Sequence, residues 1–209
     1  MSLAIFICSK NPRKSLLNNI SKLIEFYTFA KIVIIDSDSS FVQIYSRINE
    51  MFKDVDILYC KTKNFEIGAW KCGYKHYPNF EMYMCIQDSL FIKSKINISK
   101  DHAYILKEYV GFKNCKYYKH KASELFKNSV LYDTIVAYRR AASLTALHTS
   151  FIVNNANLKE ICDIFEHYID DDKSVSHITE RLIGMFFLYK KIDPIDIKYH
   201  FDKIHYQRC

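Results

Sequence analysis

Four short apolar runs, separated by helical stretches, constrain what this chain can fold into. They are "LAIFIC" (Leu3 to Cys8), "KIVIID" (Lys31 to Asp36), "VDILYC" (Val55 to Cys60) and "MYMCIQ" (Met82 to Gln87). Each is nearly continuous in apolar residues, as strands buried on both faces are. Helical spacing fills the gaps: "SLLNNISKLIEFY", then "FVQIYSRINEMF" with Asp38, Ser39 or Ser40 as its cap. "NFEIGAWKCGYKHY" (Asn64 to Tyr77) reads as a loop leading into a short helix that Pro78 ends. Strand alternating with helix predicts an α/β fold around a mostly parallel sheet flanked by helices. Ligands of such sheets bind at the carboxyl ends of the strands. Those ends are polar here: Ser9-Lys10, Asp36-Ser37-Asp38 and Gln87-Asp88-Ser89.

The second half is less regular. "HAYILKEYVGF" reads as a long strand or strand pair, and "TSFIVNN" (Thr149 to Asn155) as a strand. Asn157 to Ile169 and Ser174 to Ile192 read as helices. The tail "DIKYHFDKIHYQRC" carries no firm assignment. Four Gly and three Pro in 209 residues leave no linker, so the expectation is one domain over 1–209. "YMCIQDSLFIK" poses the sharpest chemical question, because a buried strand is a poor host for a carboxylate such as Asp88 without a partner.

Composition excludes several classes. There is no GxSxG elbow and no GxxxxGK[ST] loop. The seven cysteines form no CxxC pair, which argues against a zinc site. Cys8, Cys60 and Cys85 read as small buried hydrophobes of a reducing compartment. "LAIFIC" is too short to span a bilayer and lacks the flanks of a signal peptide, which predicts a cytoplasmic chain. The net charge of +7 suits an anionic ligand. The densest basic cluster, Lys113 to Lys121, alternates with aromatics, but no nucleic-acid module accompanies it.

The strand ends resemble those of GT-A glycosyltransferases, the small α/β enzymes that bind nucleotide-diphosphate sugars. The resemblance covers most of the chain and rests on "AIFICSKNPRK", "IIDSDSS", "NFEIGAWKCGY" followed by "MCIQDSLFI", and "SHITERLIGMFF". It implies a nucleotide-sugar-binding half over 1–93 and an acceptor-binding half over 94–209. Ser9, Lys10, Asn11 and Arg13 would hold the nucleotide, with Lys71 a further basic contact to the diphosphate. Asp36 or Asp38 would meet the base or ribose, the alternative being helix capping. Glu66, Gly68, Gln87 and Ser89 would border the donor.

Asp88 stands where the family's DxD motif binds Mn2+ or Mg2+. Ile86 or Leu90 replaces the other carboxylate, so the motif is thinned to one. His200, or His205, would help to hold the cation. Glu180 is the candidate catalytic base, with Asp170, Asp171 or Asp172 as the alternative, and Arg181 could pair with Glu180 or meet a phosphate. Trp70 could stack on a sugar or belong to the core. "YRRAASLTALHTSF" (Tyr138 to Phe151) would build the acceptor side, with His148 a contact and Arg139 and Arg140 either part of it or a solvated pair.

The implied activity is hexosyl transfer from a nucleotide-diphosphate donor, UDP-linked, to a glycan or glycolipid, in a stand-alone enzyme or a domain of a larger one. The competing readings are a GT-A-like nucleotide-binding module without turnover, a nucleotidyltransferase and a basic nucleic-acid-binding domain. The absence of Gly in "CSKNPRK" counts against the nucleotidyltransferase.

Overall fold

The computed structural model describes residues 1–61, 65–111, 116–137, 142–166 and 176–203. The expected α/β architecture is present. Strands β1 (Leu3–Ser9), β2 (Lys31–Asp36), β3 (Asp56–Tyr59) and β4 (Met82–Gln87) alternate with helices α1 (Ser15–Phe26), α2 (Gln43–Met51) and α3 (Phe65–His76). Then follow β5 (Leu90–Ile92), β6 (Tyr104–Gly111), α4 (Lys116–Leu125), α5 (Tyr132–Ala137), β7 (Ala142–Asn154), α6 (Asn155–Ile164) and α7 (Ser176–Tyr189). β8 (Ile195–Asp196), a 3-10 turn (Lys198–His200) and β9 (Phe201–Lys203) close the described chain.

Seven strands form one sheet in the order β3-β2-β1-β4-β7-β6-β8, and β5 pairs with β9 in a separate small sheet. β1, β2, β3 and β4 run parallel to one another, whereas β7 is antiparallel to both β4 and β6. The chain steps outward from β1 through β2 to β3, then returns to place β4 on the other side of β1. The direction of winding therefore reverses between β1 and β4, the point at which open α/β sheets leave a crevice at their carboxyl edge.

Period-two alternation divides the strands between two cores. Leu3, Ile5, Ile7, Ile32, Ile34, Met82, Met84 and Ile86 face α1 and α2. Ala4, Phe6, Cys8, Val33, Ile35, Tyr83 and Cys85 face the layer of α3, α6 and α7. Burial on both faces is why these runs lack polar residues until their last positions.

Two expectations need correction. The strand expected from Thr149 starts at Ala142, because β7 first pairs with β6 alone and reaches β4 only at Phe151. The cysteine expectation holds for Cys8 and Cys85, which are buried free thiols, but Cys60 is joined to Cys72 of α3 in a disulfide. Among the described residues no helix is long and apolar enough to cross a membrane.

Candidate active site

Three strand ends and three later elements meet at the β1/β4 crevice. Register sets Cys8 opposite Gln87, so the next residues, Ser9 and Asp88, leave the ladder side by side. The Ser9 hydroxyl donates to Asp88 Oδ2 at 2.8 Å, and the Asp88 amide donates to the Cys8 carbonyl at 3.0 Å. Backbone N–H groups of Lys10 and Ser89 add to the carboxylate's partners. Asp88 thus faces the crevice, not the core. Burial nonetheless pushes its carboxyl above the ordinary aspartate range, against the opposing pull of Ser9 and Lys203.

Glu66 enters from the first turn of α3. Gln87 Nε2 donates to its Oε1. Burial raises this carboxyl too, with the Glu180 charge adding and the Gln87 bond and Lys203 opposing. Cys8, Lys10, Ser37, Glu66, Gln87 and Asp88 line a cavity of about 170 Å³. Burial also holds the Cys8 thiol well above its ordinary pKa, so it is no nucleophile.

Glu180 arrives from α7. Its Oε1 accepts the backbone N–H of His148 at 2.8 Å, and the His148 ring nitrogen Nδ1 lies 3.9 Å away. His148 and Thr149 both have left-handed backbone, φ 57° and 50°. They lie where β7 departs from β6 register, beyond its pairing with β4. Irregular backbone of this kind gathers at functional edges of sheets. The Glu180 charge also raises the Glu66 carboxyl, behind burial as the main cause.

Lys203 is the residue that sequence reasoning missed. β9 runs antiparallel to β5 with Lys203 opposite Leu90, two residues past Asp88. Its ammonium donates to Gln87 Oε1 at 2.8 Å and Ser89 Oγ at 2.6 Å. The signal that could have found it is electrostatic: two carboxylates entering a buried edge require a cation.

The same register separates His200 from this cluster. Its carbonyl accepts from Lys93 at the far end of the small sheet, and its Nδ1 lies 2.8 Å from the Ser94 hydroxyl. Three residue steps, or about 10 Å, separate it from Lys203.

Other expected residues have different partners. Asp36 is buried and accepts from the Ser39 amide at 3.1 Å, the Ser39 hydroxyl and the Tyr45 hydroxyl at 2.6 Å, so both oxygens serve the β2–α2 turn. Neither role expected of the β2 end is seen: α2 starts at Gln43 with Val42 at its N-cap and no side-chain cap, so Asp36, Asp38, Ser39 and Ser40 do not cap it. Asp38 is exposed at φ 61°. Asn11 Oδ1 accepts the amides of Ser40 and Phe41, which ties the loops after β1 and β2 together. Arg13 is exposed in the loop after β1.

Lys71 turns away from the crevice. Its ammonium donates to the carbonyls of Phe165 and Glu166 at 3.1 and 2.9 Å, just past the end of α6. Five helical residues separate it from Glu66, about 140° around α3, so the two cannot face one site. Gly68 is buried in α3. Trp70 is a core residue, fully buried, with its Nε1–H on the Thr149 carbonyl at 3.2 Å. Arg181 is buried in α7. Asp170, Asp171, Asp172, His205, Arg139 and Arg140 lie outside the described residues.

No family model and no curated protein sequence matches the chain. Solved structures do. The S. aureus TarS 1-349 structure in complex with UDP superposes with a TM-score of 0.52 at 14% identity, over 96% of this chain and 60% of that one. GalNAc-T7 with UDP, GalNAc and Mn2+ gives 0.50 at 12% identity, over 82% of this chain and 37% of that one. The chain spans well under two thirds of the length of either. What the likeness establishes is architecture, and the architecture of this chain is the GT-A fold of glycosyltransferases.

Proposed function

We propose that the chain is a hexosyltransferase that moves a sugar from a nucleotide-diphosphate donor, UDP-linked, to the hydroxyl of a glycan or glycolipid acceptor. One observation carries this reading: Ser9, Asp88, Gln87 and Glu66 converge at the winding reversal between β1 and β4, and Lys203 joins Gln87 and Ser89 there from the other half of the chain. UDP in the TarS and GalNAc-T7 structures supports the choice of base.

In the proposed reaction the acceptor oxygen bonds to the anomeric carbon of the donor. The bond from that carbon to the diphosphate oxygen breaks, and its electron pair leaves with the nucleotide. The acceptor proton passes to the Glu180 carboxylate. The His148 amide orients Glu180, and Lys10, at the cavity wall, faces the diphosphate.

The Mn2+ or Mg2+ expected from the thinned motif has no ready protein cage among the described residues. Such hard cations take several oxygen ligands, carboxylates prominent among them. Among the described residues no group of three or more His, Cys, Asp or Glu could hold a metal ion. Ile86 and Leu90, the two positions for a second motif carboxylate, are packed in the core. No step is therefore routed through a metal.

The test is a thermal-shift titration against UDP, GDP, CMP and UDP-sugars, then an assay of UDP release. A ligand at a hundred times its dissociation constant should stabilise the fold by about 2.7 kcal/mol. Glu180→Gln should keep the UDP-induced shift and lose roughly 10²- to 10⁴-fold in transfer. Asp88→Ala should leave the fold intact, because Asp88 stands at the strand edge and not in the core. Nucleotide binding with no UDP release from any UDP-sugar would favour the module without turnover, a reading that the single motif carboxylate supports.

A further inference from the structure

Two carboxylates and an ammonium share a largely dehydrated strand edge, and the ammonium belongs to an element no motif announced. Lys203 holds Gln87 Oε1 and Ser89 Oγ, the residues on either side of Asp88. Those bonds use two of its three N–H donors. Its charge acts on Asp88, Glu66 and Glu180 together. β9 fixes its position through a ladder with β5, so the ammonium is placed by backbone pairing and does not depend on a flexible surface stem.

We propose that the Lys203 ammonium, set by the β5–β9 ladder against Gln87 and Ser89, is the cation that neutralises the donor's diphosphate, in the role a divalent metal was expected to fill. The inference rests on the nucleotide-sugar reading above and specifies how that site handles phosphate charge.

Chemistry and geometry agree on this role. A diphosphate leaving group needs positive charge at the oxygens that receive the electron pair. Asp88 is a poor sole metal ligand, because its Oδ2 already accepts from Ser9 and backbone amides claim further lone pairs. Lys10 lines the cavity beside Asp88, and Lys203 stands behind Gln87 of the same lining with one N–H donor beyond its two bonds. The Gln87 and Ser89 bonds keep the lysine oriented before the ligand arrives, which lowers the ordering cost of binding. Asp88, Glu66 and Glu180 all act on the ammonium, so a buried positive charge does not stand alone.

The experiment is calorimetric titration of the whole chain with uridine, UDP and inorganic pyrophosphate, in excess EDTA and again in Mn2+. UDP and pyrophosphate should bind equally well in both buffers, within about threefold. Lys203→Met should weaken UDP and pyrophosphate by roughly tenfold or more, as expected for loss of a charge-assisted contact. It should leave uridine binding unchanged, which a merely unfolded variant would not do. Lys203→Arg, which keeps the charge, should recover most of the loss. UDP binding that collapses in EDTA, or a Lys203→Met protein with wild-type UDP affinity, overturns the inference and leaves the glycosyltransferase reading standing. Failure of uridine, UDP and pyrophosphate alike to bind in either buffer overturns both.

Discussion

Glu66 sits in the first turn of α3 with little water around it, and burial raises its carboxyl pKa above the ordinary glutamate value of 4.5. The sign of the consequence follows from linkage. A carboxyl raised in the folded state keeps its proton where the unfolded chain has lost it. The resulting stability is complete below about pH 4.5 and is lost as pH rises through the folded value. At neutral pH the ionised Glu66 therefore destabilises the fold. Glu66→Gln removes that penalty and keeps an oxygen for Gln87 Nε2. The variant should melt above the wild type at pH 7 to 8, and the gap should close as pH falls toward 5. An equal gap at every pH would mean that Glu66 is fully compensated by its partners. Asp88 is the residue whose surroundings were most legible: a polar triplet after a buried run had to emerge at the sheet edge. Asp36 was not. Its partner Tyr45 lies in the apolar stripe of α2, and nothing local says that its hydroxyl turns back to β2.

The pairing of α7 with β7 decides where the proposed base stands. Gly184 is the point of closest approach. A Cβ there would come within 1.7 Å of the Leu144 carbonyl oxygen and 2.5 Å of its carbon, a clash with backbone that no rotamer relieves. Glu180 precedes Gly184 by one turn on the same helix face, so the depth set at Gly184 also sets Glu180 against the His148 amide. Gly184→Ala should cost about 3 kcal/mol in a urea titration, the upper range for overpacking, and should depress UDP release more than UDP binding. A loss of stability with release intact would separate Glu180 from the chemistry. The α7 helix was legible from its spacing. The interruption of β7 was not, because two non-glycine residues in left-handed conformation leave no signature in "LTALHTSF".

For the molecule as a whole, the parallel sheet leaves β3 at one edge, and the Cys60–Cys72 disulfide fastens the end of that strand to α3. The two cysteines are 12 residues apart. Closing a loop of that size stabilises by about 3 kcal/mol through the unfolded chain. Cys60→Ser with Cys72→Ser should therefore lower the urea midpoint, and a reducing agent should lower the wild type by the same amount while leaving the double variant unmoved. Identical curves with and without reductant, for both proteins, would show that the thiols are not paired in solution. The tethered segment leads into α3 and Glu66, so the same experiment followed by UDP titration reports whether the bond also holds the crevice.

Sequence by itself determined the alternation of buried strand and helix, the parallel half-sheet and the polar strand ends that mark its functional edge. These follow from burial along single elements, which leaves a period in the residues that form them. Only the tertiary structure decided that Lys203 meets Gln87, 116 positions away, that Lys71 serves α6, that Cys60 meets Cys72, and that Glu180 faces a break in β7. Those partners are chosen by strand order, register and helix depth, and such choices arise between elements whose own residues carry no period that records them.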